Sequence, residues 1–587
     1  MPSLTSYLPF SLSRNAIHIC TYLLAVCLFS ISFLVFLNSV ASFVITDLIG
    51  IKDGVGDLVG TLGFVDELIA IFACPFWGVL SDRIGVRYVC VAGYTIIGLS
   101  LFIFVQAHNV YPQLLFARAF FSIGGAATAT MVTSILPIMS INDSQDPHQS
   151  VYEAVVQGEH SERNIPQSSQ SQSRITPANY NGHSNLNSNS KQQKSQNPSR
   201  LAGVVGLFTG CGALVALIIF LPLPAQFSSL NGMSQAHAIA DSFYVVGSIS
   251  FAVALACFLG LRNLVGEESK GLHLLFKKMP SSASNNAIII DHNNIETLKY
   301  VVPATPYWRL LLKSAILGLS DAKIGLGYIG GFVARASSVG ITLFIPTYIN
   351  AYFLKHNFCD ISPNDPSSKL KKECQVAYIL ASELTGISQL VALLFAPVFG
   401  YISDRYSRFN IPTLIASISG IIGYLGFAHI NSPESRNIDG RGGGPIVFLI
   451  VSLIGISQIG AIVCSLGLLG QAILFKGHVD NSQLLNSQQN QTHTDISDLA
   501  PLLPSSEDKE TRSRIHLKGS IAGIYSLYGG AAILILTKLG GYLFDKVSTS
   551  APFYILAIFN GIWMTAAIGI EIYREFKMWS RGKEMIS

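Results

Sequence analysis

Charge is what this sequence has least of. Asp, Glu, Lys and Arg make up 12% of its 587 residues, about half the share of a soluble protein. That excludes an ordinary solvated globule, as does a mean hydropathy of +0.45 with half of the residues hydrophobic. The pieces of an active site are missing as well: no paired nucleophile and base, no phosphate-cradling glycine loop and no metal-ligand spacing. The expectation is therefore a protein that is not an enzyme, with no cofactor and no metal. No basic cluster is present to grip nucleic acid, and the net charge is only +4. The apolar runs do not alternate as barrel strands do. Cysteine is sparse, nine in all, and seven lie in or beside apolar runs, where thiols serve as small packing groups.

What is there are apolar runs of about 20 residues or more, each long enough to cross a bilayer as a helix. They are read near 17–45, 57–80, 87–106, 112–135, 201–222 and 239–261, then near 332–354, 375–399, 411–429, 445–471, 519–543 and 552–573. No cleavable signal peptide is expected ahead of the first. With the N-terminus cytoplasmic, roughly 27 of the 38 Lys and Arg fall on the cytoplasmic side and roughly 8 on the other, as the positive-inside bias requires. The loop 355–374, with Lys355, Lys369, Lys371 and Lys372, dissents. Two Ser/Asn/Gln-rich inserts, 141–200 and 477–517, hold too little apolar surface to bury a core and are expected to be disordered and cytoplasmic. A linker, 263–331, contains a stretch that suits an amphipathic helix on the membrane surface, with Lys313, Asp321 and Lys323 opposing full insertion.

The two sets of runs repeat one another. At an offset of 322, Pro75 falls on Pro397, Gly78 on Gly400 and Ser81-Asp82-Arg83 on Ser403-Asp404-Arg405. At an offset of 320, Gly203, Leu207 and Gly210 fall on Gly523, Leu527 and Gly530. The expected fold is all-α and integral to the membrane: twelve transmembrane helices in two pseudo-symmetric six-helix bundles, 1–262 and 332–587, joined by the linker.

Gly78-x-x-x-Asp82-Arg83-x-Gly85-x-Arg87 resembles the signature loop between spans 2 and 3 of the major facilitator superfamily. Gly400-x-x-x-Asp404-Arg405-x-x-Arg408 is its weaker echo, with Ser407 in place of a glycine. The stretch from Arg118 through Gly124-Gly125-Ala126 is similar to the family's span-4 motif, with Ser122 in place of a glycine. The resemblance implies that Asp82, Arg83 and Arg87 form an inner latch between the halves, and that Asp404, Arg405 and Arg408 form a second. It covers nearly the whole chain. One departure is Cys211, which follows Gly210 where proton-antiporting drug exporters of the family carry Pro, so antiport has no support from that signature.

Charges inside apolar spans are costly unless paired or solvated. Span 2 carries Asp66 and Glu67, span 4 Arg118, span 7 Arg335, span 8 Glu383 and span 11 Lys538. Glu67 precedes Gly78 by about three helical turns and shares its face. By the resemblance that face meets span 11, so Lys538 is Glu67's expected partner, while Asp66 turns toward Arg118. The acids are candidate proton-coupling elements, because desolvation alone makes a carboxylate easier to protonate. Arg335 is expected to snorkel to the headgroups. Asn38 and Ser39, Tyr348 and Asn350, and Ser388 and Gln389 are polar groups on cavity-facing stretches.

The reading is a secondary active transporter moving a small solute by alternating access, with proton coupling an open option. The alternatives are a transporter-like solute sensor and a lipid or lysolipid transporter on the same fold. The expected partners are the solute, protons and the bilayer, with the chain a monomer. Two further features stand outside the spans. Cys359 and Cys374 are either a disulfide, closing a loop worth roughly 3 kcal/mol, or two free thiols. Asp498-Leu-Ala-Pro-Leu502-Leu503 resembles an acidic dileucine signal read by sorting adaptors. With loops of a composition that suits a fungal transporter, it favours a vacuolar membrane over the plasma membrane.

Overall fold

The computed structural model describes residues 16–51, 55–140, 198–224, 226–227, 235–264, 267, 270–272, 307–356, 368–406, 410–435, 443–474, 514 and 517–584. Among these are twelve helices long and apolar enough to cross a membrane. Spans 1 to 6 are Ala16–Leu48, Leu58–Ile84, Val86–Phe104, Val110–Met139, Pro198–Phe220 and Ala236–Gly260. Spans 7 to 12 are Ala322–Phe353, Ile379–Arg405, Ile411–Ala428, Ile446–Leu474, Lys518–Lys546 and Ala551–Ser580.

Three expected boundaries move. Span 7 starts at Ala322, ten residues before the expected 332. Asp321, read as a barrier to insertion, is instead the N-cap that starts it: its Oδ1 accepts from the backbone N–H of Lys323 (2.9 Å) and Ile324 (3.3 Å), satisfying two donors that an uncapped helix leaves bare. Within the linker a separate helix, Tyr307–Ser320, lies ahead of it, with Trp308, Leu312, Ile316 and Leu319 exposed along one side. Span 5 starts at Pro198, so Ser199 and Arg200 are helical rather than part of the insert. At the end of the second insert, Arg514 donates to Asp321 at 2.8 Å and Leu517 is buried as the N-cap of span 11.

Packing repeats six spans on. Span 3 packs against spans 4 and 6, as span 9 does against spans 10 and 12. Span 2 meets span 4, as span 8 meets span 10. Between the halves, span 2 lies on span 11 and span 8 on span 5. Phe36 of span 1, Phe104 at the end of span 3 and Phe243 near the start of span 6 form a buried aromatic cluster, with Phe243 centroids 5.0–5.5 Å from the other two rings. Tyr348, Phe427 and Phe553 do the same for spans 7, 9 and 12, at 4.7–5.7 Å. Tyr348 is therefore a packing group here, not a cavity-lining one. Local irregularities repeat too. Span 5 widens into a π-turn at Ala216–Phe220 and span 11 at Leu536–Gly540, the same 320-residue offset as their sequences.

Candidate functional site

Two places bring the sequence-derived residues together: the end of the molecule that holds the repeated motif, and a cavity between the halves.

At the motif end, span 2 and span 11 touch backbone to backbone. A Cβ built on Gly78 would stand 2.3 Å from the Gly519 carbonyl oxygen and 2.9 Å from Gly523 Cα, so only glycine permits the approach. That contact sets Asp82 against the start of span 11, whose own N-cap residue, Leu517, has no side-chain acceptor. Asp82 supplies one from the other half. Its Oδ1 accepts from Gly519 N–H (2.8 Å), and its Oδ2 accepts from Ser520 N–H (2.7 Å) and Ser520 Oγ–H (2.6 Å). A carboxylate on the positive end of a helix dipole is a charge-assisted cap.

The echo is built on the same plan with a different partner. Gly400 lies against span 5, where a Cβ would stand 2.8 Å from Gly203 Cα. Asp404 forms an ion pair with Arg200. Arg200 is the residue that the 320-residue offset aligns with Ser520. Each half thus sends an aspartate from its second helix to the start of the fifth helix of the other.

The arginines of the first motif reach further elements. Asp82 is engaged by span 11 itself. Arg83 stacks its guanidinium 3.7 Å over the Tyr307 ring of the linker helix. Arg87 donates from Nε to the Phe258 carbonyl at 2.7 Å and lies 4.0 Å over the Phe258 ring, tying span 3 to span 6. Arg405 is exposed, and Arg408 lies outside the described residues. Gly85 starts span 3 with φ +98°, a left-handed conformation that glycine adopts without strain.

A residue with no sequence signal completes this end. Glu267, in the linker, accepts from Val86 N–H (2.8 Å) and Lys270 (3.1 Å) and forms an ion pair with Lys518 (2.7 Å). It thereby joins the span 2–3 loop, the linker and the first residue of span 11. Burial alone would raise its carboxyl, but Lys518 and Lys270 outweigh burial and hold it below the usual carboxylate range.

Away from the motif end, spans 2 and 11 part. Gly530 still meets an Ile71 side chain, but beyond it a Cβ on Gly63 or Gly60 of span 2, or on Gly541 of span 11, would meet nothing within 4 Å. Gly386 of span 8 is equally open, whereas Gly206 and Gly210 of span 5 are in contact. The halves thus meet along spans 2 and 11 through glycine backbones at the motif end and, beyond Gly530, through a long side chain, Lys538 over the Phe64 ring.

The cavity, about 100 Å³, sits between those halves, with Asp66, Glu67 and Arg335 in its wall beside Ser30, Ser122 and Ser526. Arg118 is buried and donates from Nε to Asp66 Oδ2 at 2.7 Å, with Nη2 on the same oxygen and on Asn38 Oδ1. Ser122 donates to the Asp66 backbone carbonyl at 2.8 Å. Asp66 Oδ1 is buried with no hydrogen-bond partner. One oxygen of this carboxylate is thus left without a donor, beside a cavity that both halves line.

Glu67 does not pair with Lys538. The lysine lies exposed with its ammonium 4.2 Å over the Phe64 ring. The register of the two helices explains the change: Gly523 lies on Gly78 and Gly530 on Ile71, which sets Lys538 beside Phe64, about one turn beyond Glu67. Arg335 of span 7 lines the same cavity as Glu67 rather than snorkelling. Its stem lies against span 11, where a Cβ on Gly529 would come within 2.6 Å of Arg335 Cγ. Glu383 and Gln389 are exposed and do not line this cavity. Cys359, the Cys374 side chain, Asp498, Leu502 and Leu503 lie outside the described residues. No group of three or more His, Cys, Asp or Glu placed to hold a metal occurs among the described residues.

The sequence model of the Major Facilitator Superfamily matches residues 22–139, spanning the first motif and Arg118. No curated protein matches the chain in sequence. Among solved structures, the human organic anion transporter MFSD10 (TETRAN) is 10% identical with a TM-score of 0.48, covering 95% of this chain and 100% of that one. The proton:xylose symporter XylE, bound to 6-bromo-6-deoxy-D-glucose, is 11% identical with a TM-score of 0.48, covering 95% of each.

Proposed function

We propose that this chain, a protein of the major facilitator superfamily, is a secondary active transporter that carries a small solute across a membrane by alternating access, coupled to protons through Asp66. The observation that carries the coupling is the Asp66–Arg118 pair with one carboxylate oxygen unpartnered at the cavity wall. A carboxylate that gains or loses water as the halves rock changes its proton affinity with them. Arg118 and Asn38 hold it, and Glu67 and Arg335 meet the solute from opposite halves.

The motif end is taken as cytoplasmic, on the Lys and Arg distribution. The two latches then close the cytoplasmic side while the cavity faces the other compartment. A vacuolar membrane fits the dileucine pattern at Asp498, Leu502 and Leu503, with a sorting adaptor as partner.

The test is uptake into proteoliposomes of the purified full chain under an imposed pH gradient, with radiolabelled amino acids, sugars, cationic drugs and lysolipids. Wild type should accumulate at least one of them, and collapsing the gradient should stop accumulation. Asp66→Asn should lose the gradient dependence. Accumulation of none of the panel, or the same accumulation without a gradient, would defeat the proton-coupled reading. Binding without flux would favour a sensor.

A further inference from the structure

Three charges line the cavity wall, Asp66, Glu67 and Arg335, and one of them is already paired. Asp66 and Arg118 neutralise one another within the first half. Glu67 and Arg335 face the same cavity from opposite halves, yet no ion pair within 4.0 Å and no hydrogen bond engages either among the described residues. Both are only partly exposed. Around them the wall is apolar, with Phe33, Leu34, Phe121 and Ile533. The result is a desolvated slot with a free carboxylate on one side, a free guanidinium on the other and apolar side chains between.

We infer that the solute is a small zwitterion with an apolar body, its ammonium on Glu67 and its carboxylate on Arg335. The inference rests on the reading of this cavity as the solute site. Charge balance makes the choice. A cation without an anionic group would pair Glu67 and leave Arg335 bare as the cavity closes. An anion would pair Arg335 and leave Glu67 bare, and an uncharged sugar would pair neither. Each bare charge opposes closure, because desolvating an unpaired ion is costly. A zwitterion satisfies both at once and adds no net charge to the closed cavity. Because the two groups belong to different halves, the same molecule also draws the halves together, which is the differential binding that a rocking carrier requires. Ser30 and Ser526, hydroxyls on the same wall, can serve the remaining lone pairs and protons of the two ends.

The experiment measures equilibrium binding to the purified full chain in detergent, so it does not depend on flux. The probes are L-leucine, L-phenylalanine and 4-aminobutyrate as zwitterions, isoamylamine as leucine without its carboxylate, and 4-methylpentanoate as leucine without its amine. At least one zwitterion should bind about tenfold or more tighter than either truncated probe, as charged hydrogen bonds lost from a dry site imply. Glu67→Gln should weaken the zwitterion while leaving 4-methylpentanoate unchanged or tighter. Arg335→Gln should do the reverse with isoamylamine. Equal or tighter binding of a truncated probe by wild type overturns the proposal, as does no binding of any of the three zwitterions. Zwitterion binding without uptake in proteoliposomes keeps this inference and removes the transporter reading instead. The wild-type comparison decides the matter even where a variant fails to fold.

Discussion

Adding one methyl group at Gly78 should open the first latch. The new Cβ would stand 2.3 Å from Gly519 O, 2.9 Å from Gly523 Cα and 3.0 Å from Gly523 N. All three are backbone atoms that no rotamer change can move, so spans 2 and 11 must separate by about 1 Å, at about the 1–3 kcal/mol of an overpacked contact. That separation stretches the three hydrogen bonds from Asp82 to Gly519 and Ser520. Among the described residues Asp82 is the acceptor of both the 519 and 520 amides, so their hydrogen exchange reports the latch. At a tenfold change per 1.4 kcal/mol, Gly78→Ala should speed exchange of these two amides by about 5- to 150-fold. Gly63→Ala makes the same substitution on the same helix where a Cβ meets nothing within 4 Å, and it should leave the exchange unchanged. The assay is hydrogen–deuterium exchange mass spectrometry on a peptide starting near Lys518. Equal exchange in wild type and Gly78→Ala would refute the claim that this contact holds the halves together.

Asp66→Asn should abolish gradient-driven uptake at unchanged protein level, and unchanged pH dependence would remove Asp66 from the mechanism. Glu267 has its folded-state pKa lowered, so its contribution to stability is present above the ordinary carboxylate pKa of about 4.3 and is lost as pH falls through the lower folded value. Glu267→Gln should therefore melt below wild type at neutral pH, and the difference should fade in melting curves taken below about pH 4; a constant difference would contradict the ionic role. Leu502→Ala with Leu503→Ala should move a fluorescent fusion from the vacuole to the cell surface. A wild-type fusion already at the surface would end the sorting reading.

The twelve spans and the two halves were legible because a bilayer imposes long apolar runs and because the repeat kept its glycines and aspartates in register. Arg200 was legible too, in principle: the 320-residue offset places it on Ser520, but it stands at the edge of a Ser-rich insert and reads as loop. Asp321 misled because a charge ahead of a span looks the same in sequence whether it excludes the chain from the bilayer or caps a helix. The pairing of Glu67 with Lys538 was misread because a shared face does not fix the axial register of two helices, and the glycine contacts set Lys538 one turn further on, at Phe64. Glu267 was invisible. Its role depends on three groups far apart in sequence, Val86 N–H, Lys270 and Lys518, converging at one end of the bundle.

Alternating access is tested most directly by measuring both ends of the same molecule. Spin labels at Leu259 and Tyr401, exposed near the latch end in opposite halves, report one gap, and labels at Tyr111 and Ile446, exposed at the other end, report the second. Asp82→Asn combined with Asp404→Asn should lengthen the first distance and shorten the second, as rigid halves rock about the cavity. If both distances lengthen together, or the first changes while the second stays fixed, the halves do not rock and the account fails.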